Sequence, residues 1–126
     1  MGAFRNCFQS RVIKPTNYFY IGKRLGQIYH SRLRMQCSSL NHHLFVKNIV
    51  DSPLCLCGAI ETTAHYLLHC PRFHIMREQH FYNINIIHFL SEEILLHGST
   101  DFSYEQNIEI FLAVQTFILS SKRFVI

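Results

Sequence analysis

The sequence predicts a small all-α domain with a central Cys-Cys-His-Cys zinc knuckle. Apolar residues recur at helical spacing in several segments, and Pro, Gly and Asn separate those segments, which indicates short helices. The knuckle is indicated by three cysteines and a histidine that lie close together near the middle of the chain. The 126 residues fit one domain. We expect an arm that need not be ordered over residues 1–19 and a helical domain over residues 20–126, with the knuckle at residues 52–77.

Two helices are predicted before the knuckle. The first runs from Gly22 to about Cys37, because four apolar residues recur there at roughly helical spacing: Leu25, Ile28, Tyr29 and Leu33. Asn41 can cap a second short helix, HHLFVKNIV, which ends before Pro53.

Three further helical segments follow the CLC turn. The stretch ETTAHYLLHC has helical composition, and Pro71 can serve as the first residue of the next helix, RFHIMREQHFY. The stretch INIIHFLSEEILLHG then predicts one or two short helices closed by Gly98.

The last helix is predicted to open at Asp101 or Ser103. Its apolar stripe comprises Ile108, Phe111, Leu112, Gln115, Ile118 and Leu119, and further apolar residues lie off the stripe at Ile110, Val114 and Phe117. A helix that is apolar nearly all round is buried on more than one side. A strand is the alternative, since Ile, Val, Phe and Thr favour sheets, but the length of the run and its lack of turn residues favour the helix.

Composition indicates a soluble intracellular protein, nuclear or cytoplasmic. No secretory signal is visible, and the longest apolar run, residues 108–119, is too short and too interrupted to span a bilayer. We therefore expect no membrane partner. Apolar residues make up 48% and charged residues only 16%, against about 25% charged in typical domains. Either the core is generous or part of the apolar surface serves a partner.

Charge is unevenly distributed along the chain. Residues 1–50 contain eight bases and no acid, whereas residues 51–126 contain four bases and eight acids, so the halves carry +8 and −4 and sum to +4. A surface of one sign can hold a polyanion such as a nucleic acid. A solvated helix surface is the equal alternative.

The cysteines and one histidine form the pattern C-x-C-x7-H-x4-C, at Cys55, Cys57, His65 and Cys70. Five cysteines are an odd number and no export signal accompanies them, so reduced thiols or metal ligation are expected rather than a disulfide framework. Three thiolates and an imidazole are a standard tetrahedral set for structural zinc. The helix end must loosen for His65 and Cys70 to face one ion, and Gly58 permits a tight turn that aims backbone amides at the sulfurs.

Alternatives to this ligand set stay open. A single residue between the first two cysteines is fewer than zinc knuckles usually have, and His69 and His74 are reserve ligands if Cys55 is not used. The thiols can also be ordinary buried cysteines, which are common in cores. The neighbouring His42 and His43 are interpreted as surface residues, because adjacent helical residues point in different directions.

The segment CLCGAIETTAHYLLHCPRFHIMR resembles the region after the polymerase thumb in non-LTR (LINE-type) retrotransposon reverse transcriptases. The residues that carry the resemblance are Cys55, Cys57, Gly58, Glu61, Thr62, His65, Cys70, Pro71 and Arg77. Upstream, SRLRMQCSSLNHHLF resembles the arginine-bearing segment that precedes the knuckle, and the end of the chain, through Arg-Phe, resembles the closing segment of such reading frames. The likeness runs from about residue 20 to the end.

The resemblance implies a zinc-binding module associated with RNA or DNA, with an upstream reverse transcriptase core as a further partner and no small-molecule substrate. It implies phosphate contacts by bases near the knuckle: Arg32, Arg34, Lys47, Arg72 and Arg77. Polymerase activity is not expected on this chain, because the family's adjacent catalytic aspartates are missing and only Asp51 and Asp101 are present. The alternative is a metal-free helical fragment that acts as a packing or interaction piece or is a relic.

Overall fold

A computed structural model describes residues 17–81, 84 and 90–124 of the chain. In this part the structure is mostly helical, and no strand forms beyond one antiparallel bridge between Leu54 and Ile60. We number the α-helices α1 to α5: Arg24–Arg34, Asn41–Val46, His74–Phe81, Glu92–His97 and Tyr104–Ser121. Short 3-10 turns cover Asn17–Tyr20 and Pro71–Phe73, and a π turn covers His65–His69. The prediction of a helical domain is confirmed.

Helix α1 ends at Arg34, three residues before the predicted end, because Gln36 adopts a left-handed conformation with φ of 56°. The backbone amides of Gln36 and Cys37 donate to the carbonyls of Leu33 and Arg32, which closes the helix end with hydrogen bonds. On its inner face, a Cβ added to Gly26 would lie 3.1 Å from the Cβ of Gln115. Glycine at this position therefore lets α1 approach α5 closely.

Helix α2 begins at Asn41 itself, so the prediction that Asn41 caps it is wrong. The side chain of Asn41 instead donates to the carbonyl of Leu54, 2.7 Å away. Its backbone amide donates to Oε1 of Glu61, also at 2.7 Å. A carboxylate from within the predicted knuckle, 20 residues further on, thus satisfies the helix end that a local side chain was expected to satisfy.

Helix α5 is the centre of the core, and Ser103 caps it with a reciprocal hydrogen-bonded pair to Gln106. Burial on more than one side is confirmed, and its buried residues are Asn107, Ile110, Phe111, Val114, Gln115, Phe117 and Ile118. The buried face of α5 differs from the predicted apolar stripe: Leu112, placed on the stripe, is exposed, and residues placed off the stripe are buried.

The other elements pack around α5. The ring of Phe19, the residue where the predicted arm ends, stacks on Phe111 at 5.5 Å, and the rings of Tyr66 and Phe81 lie 5.3 and 5.1 Å from that of Phe117. Pro71 starts the 3-10 turn that leads into α3, as predicted. Gly98, with φ of 72°, closes α4 as predicted, whereas residues 85–89 of the predicted preceding helix lie outside the described residues, as do residues 1–16 of the arm.

Two histidines are buried in this fold. His43 is 5% exposed, so its interpretation as a surface residue is wrong. Its Nδ1 accepts from the backbone amide of Ser38, and its Nε2 lies 3.0 Å from the hydroxyl of Thr63. His30 is completely buried, and its Nε2 donates to the carbonyl of Leu95 at 2.8 Å. Burial, with the charge of Arg34, lowers the pKa of His30 to about 3.

Burial of His30 predicts a loss of stability in acid. In the unfolded chain the imidazole has a pKa of about 6.5. Below that pH the unfolded state therefore binds a proton that the folded state does not bind, which favours unfolding. The stability is complete above pH 6.5 and falls towards pH 3. We expect the free energy of unfolding to fall by about 2 to 3 kcal/mol more in the wild type than in a His30→Leu variant between pH 7 and 4.5. Urea unfolding at both pH values measures this. An equal fall in both proteins would contradict it, since they share every other titrating group.

Candidate metal centre

The first two cysteines lie in a hairpin, residues 54–60, that is closed by the Leu54–Ile60 bridge. The amide of Cys55 donates to the carbonyl of Ala59 at 2.7 Å, and the amide of Gly58 donates back to the carbonyl of Cys55 at 2.9 Å. Gly58 has φ of 100°, a conformation that costs side-chain-bearing residues energy. The predicted tight turn is confirmed, and it places both cysteines on one short loop.

The other two candidate ligands lie at the ends of the π turn. The hydroxyl of Thr62 accepts from the amide of His65 and starts this helical segment, which then widens. The amide of Cys70 donates to the carbonyl of His65 at 2.7 Å, which is the i to i+5 bond of a π turn. Residues five apart therefore come onto the same side, as the predicted loosening of the helix end requires.

The four ligand atoms of Cys55, Cys57, His65 and Cys70, here called the Cys3His cluster, all lie within 4.8 Å of one another. The sulfurs of Cys55 and Cys70 are 3.6 Å apart, and the sulfur of Cys57 is 3.2 Å from Nε2 of His65. With metal–sulfur bonds of about 2.3 Å and metal–nitrogen bonds of about 2.0 Å, a tetrahedral site has edges of roughly 3.5 to 3.8 Å. The cluster can hold a metal ion.

The pKa values of Cys55 and Cys70 are shifted in opposite directions by hydrogen bonds and burial. Burial alone raises the pKa of the Cys55 thiol, but the amide of Cys57 and the guanidinium of Arg72 donate to its sulfur and lower that pKa to about 6. Burial raises the pKa of the Cys70 thiol to about 11, although the amide of Arg72 donates to it. A cation between the two sulfurs would favour the thiolate form of both.

All three cysteines of the cluster are free thiols, as expected. Cys37, elsewhere in the fold, is disulfide-bonded, so the expectation of a reduced thiol is wrong for that residue. The reserve ligands do not join the cluster. His69 is exposed, and Nε2 of His74 instead lies 3.0 Å from the carboxylate of Glu78.

Three of the five predicted nucleic-acid contacts are fixed by hydrogen bonds beside the cluster or in the core. Nη1 of Arg72 donates to the sulfur of Cys55 at 3.2 Å. The guanidinium of Arg77 donates to the carbonyls of Tyr66 and Leu67 in the π turn and to that of Cys70, which also accepts from the amide of Phe73.

The third, Arg34, donates to the carbonyl of Leu96 at 2.6 Å and covers the ring of Phe19 at 4.2 Å. Lys47 donates to the carbonyl of Gln36 at 2.9 Å, whereas Arg32 is exposed on the outer side of α1. Contact of these five residues with nucleic acid stays a prediction.

The pairing of Glu61 with Arg123 was missed by sequence reasoning. The Glu61 side chain is 1% exposed, and Arg123 donates to both of its carboxylate oxygens, to Oε2 at 2.7 Å and to Oε1 at 2.5 Å. The residues lie 62 positions apart, so no local pattern connects them. The only signal in the sequence was that Glu61 and the Arg-Phe pair near the end of the chain both lie in segments that resemble reverse transcriptases.

Comparison with protein-family models, with curated proteins and with solved structures found no match for this chain. No helix in the described part of the chain is long and apolar enough to cross a membrane. The interpretation of the site therefore depends on its own geometry and chemistry.

Removal of Arg123 is expected to destabilise the fold strongly. An Arg123→Leu variant leaves the buried Glu61 carboxylate without its cation, and such unpaired buried charges cost about 3 to 5 kcal/mol. An Arg123→Leu, Glu61→Leu double variant should recover a large part of that loss, because neither charge then remains. Denaturant unfolding measures both, and Arg32→Leu, an exposed arginine, is the control with a change below about 0.5 kcal/mol. A single variant as stable as the control would show that the pair is dispensable.

Proposed function

We propose that this chain is a zinc-binding module of the kind found at the C-terminal end of non-LTR retrotransposon reverse transcriptases, and that it binds RNA or DNA. The observation that carries the proposal is the convergence of four ligand atoms, from two separate segments, within 4.8 Å. Zinc is the metal of choice because soft thiolates with one imidazole in a tetrahedral arrangement suit it best.

The zinc ion has a structural role in this proposal. Three sulfurs and one nitrogen complete a four-coordinate shell, which leaves no open position for substrate. The ion would fasten the hairpin to the π turn, two segments that otherwise meet through few hydrogen bonds. Backbone amides that donate to the sulfurs of Cys55 and Cys70 offset the negative charge of the shell. Polymerase activity forms no part of the proposal, because Asp51 and Asp101 are separate, exposed residues.

The geometry supports the resemblance to reverse transcriptases at one point. Three segments carry the likeness, and they meet at Glu61. The amide of Asn41, from the upstream segment, and the guanidinium of Arg123, from the closing segment, both donate to its carboxylate. A set of motifs far apart in sequence that forms one contact network is what inheritance from a common module would produce. An upstream reverse transcriptase core is the proposed protein partner.

Nucleic-acid binding is proposed on the outer side of α1. Arg24 and Arg32 lie about two turns apart and away from the face that buries Gly26, His30 and Leu33, and Lys23 precedes them at the start of the helix. All three are exposed, and the described residues up to position 50 contain no acid. Tyr20, which is 65% exposed, supplies a ring on which an unpaired base can stack. The surface suits single-stranded RNA or DNA.

A second candidate function is a metal-free packing piece, favoured by one observation. Several large apolar side chains near the knuckle are exposed: Phe45, Val46, Ile49, Leu54, Leu56 and Ile60. Their exposure suits burial against a larger protein.

The zinc proposal predicts about one zinc ion per purified chain. A Cys70→Ala variant should lose the metal, because the residue supplies a buried ligand, and should lose helical content as well. Structural zinc contributes about 10–16 kcal/mol of apparent binding free energy, enough to decide whether a small domain folds. Elemental analysis and circular dichroism measure both effects. The control is His69→Ala, an exposed histidine outside the cluster, which should keep zinc and helicity. Wild-type protein that is folded yet contains no zinc would favour the packing piece.

The nucleic-acid proposal predicts salt-dependent binding of a single-stranded oligouridine. Replacement of Lys23, Arg24 and Arg32 by Gln should lower the slope of log affinity against log salt by about 2, since each phosphate contact on single strands contributes about 0.7. Fluorescence anisotropy at several salt concentrations measures the slope. Lys122→Gln removes an exposed base at the other end of the chain and is the matched control. An unchanged slope in the triple variant would place binding elsewhere or show that it is absent.

A further inference from the structure

The three thiols of the Cys3His cluster differ sharply in access to solvent. Cys57 is exposed at the tip of the hairpin, beside Leu56, which is 86% exposed. Cys55 is 5% exposed and Cys70 is completely buried. A small oxidant that arrives from solvent therefore meets the sulfur of Cys57 first. The two other sulfurs lie behind it, within 4.8 Å.

Chain connectivity selects the partner of Cys57. Cys55 is separated from Cys57 by one residue, and a disulfide between them would close a small, strained ring. Cys70 comes from the end of the π turn, a separate segment, and its sulfur lies within 4.8 Å of that of Cys57. A disulfide needs the sulfurs at about 2.05 Å, so a rotation of the exposed Cys57 side chain with a small shift of the hairpin can close the gap.

We propose that Cys57 is a peroxide-reactive thiol and that Cys70 resolves it, so that oxidation converts the metal site into a Cys57–Cys70 disulfide. This inference rests on the proposed zinc function, because it adds regulation to the same site. Exposed thiols poised next to a second cysteine are the usual setting for reversible oxidation.

The chemistry balances with hydrogen peroxide as the oxidant. The sulfur of Cys57 attacks one peroxide oxygen, the O–O bond breaks, a sulfenic acid forms and one water leaves. The sulfur of Cys70 then attacks the sulfur of Cys57, the S–S bond forms, the S–O bond breaks and a second water leaves. The two sulfurs together lose two electrons, which reduce peroxide to two waters. In the metal-free chain the two protons needed come from the thiols, whereas in the metal-bound chain, where both sulfurs are thiolates, they come from solvent as the metal ion leaves.

Loss of the metal follows from the ligand count. The disulfide removes two of the four ligands and leaves only Cys55 and His65, too few for a closed tetrahedral site. The hairpin and the π turn stay joined, now by a covalent bond. Reduction by a dithiol reagent restores both ligands, so the change is reversible.

The experiment starts with the zinc content of the untreated chain and then adds hydrogen peroxide. We expect zinc release, followed with a colorimetric chelator, to parallel disulfide formation. Cleavage after Lys47, Glu61 and Arg72 places Cys70 on residues 62–72 and both Cys55 and Cys57 on residues 48–61. The mass of the linked pair therefore detects a bond to Cys70, and fragmentation on either side of Leu56 shows whether Cys57 or Cys55 forms it. Dimedone, which traps sulfenic acids, should label Cys57 before the other two cysteines.

A Cys57→His variant tests the role of the exposed thiol while keeping a ligand at that position. Two thiolates and two imidazoles are also a standard zinc set, so this variant should bind zinc. It should release zinc to peroxide at least about tenfold more slowly than the wild type, because the remaining thiols are buried. If the variant binds no zinc, the order of dimedone labelling in the wild type decides the question.

Three results would overturn the inference. They are zinc release without a Cys57–Cys70 bond, first labelling of Cys55 or Cys70, and an equal release rate in the Cys57→His variant. Each leaves the zinc function intact if the untreated chain contains zinc. An untreated chain without zinc overturns the proposed function first, and the regulation of the site falls with it.

Discussion

The buried carboxylate of Glu61 is the interaction on which the arrangement of this small fold depends. Its oxygens accept from the amide of Asn41 and from the guanidinium of Arg123, and its backbone carbonyl accepts from the amide of His42. Burial of a carboxylate is costly unless charge and hydrogen bonds compensate it, and here both do. One residue thereby joins the start of α2, the end of the hairpin and the end of the described chain. This fixes where the hairpin stands before any metal is considered.

The π turn meets a second constraint, because it leaves carbonyls that an α-helix would have used. Arg77 donates to two carbonyls of the turn, those of Tyr66 and Leu67, and to the carbonyl of Cys70 just after it, and it packs beside the ring of Phe117. The widened turn is thus stabilised from the side away from the cluster, and this brings His65 and Cys70 to a common side. Together, Glu61 fixes the hairpin and Arg77 fixes the π turn. The four ligand atoms then converge with only a small adjustment left for a metal ion to make.

The predictable and unpredictable features divide by the range of the interactions behind them. Helix α5 followed from its pattern and its Ser103 cap, and the grouping of the four candidate ligands followed from spacing, because both are local in sequence. The cap of α2 was mispredicted because its true partner, Glu61, lies 20 residues away. The burial of His43 was missed as well, and the partner of its Nε2, Thr63, also lies 20 residues away. Arginines were the hardest to judge, because charge alone does not show which carbonyls the fold leaves unsatisfied.

This last point changes how the basic half of the chain should be interpreted. Arg34 donates to the carbonyl of Leu96 and Arg77 donates to three carbonyls, so hydrogen bonds within the fold hold both side chains in place. Arg72 donates to a ligand sulfur, and its charge would be shared between the metal shell and any phosphate nearby. The charge most available to a polyanion is therefore that of exposed residues such as Arg24 and Arg32, on the outer side of α1. If a nucleic-acid strand on that face also crosses the knuckle, it covers the exposed tip of the hairpin, and binding of nucleic acid and oxidation of Cys57 exclude each other. If the path of the strand avoids the knuckle, Cys57 stays accessible to oxidants in solvent and the two events are independent.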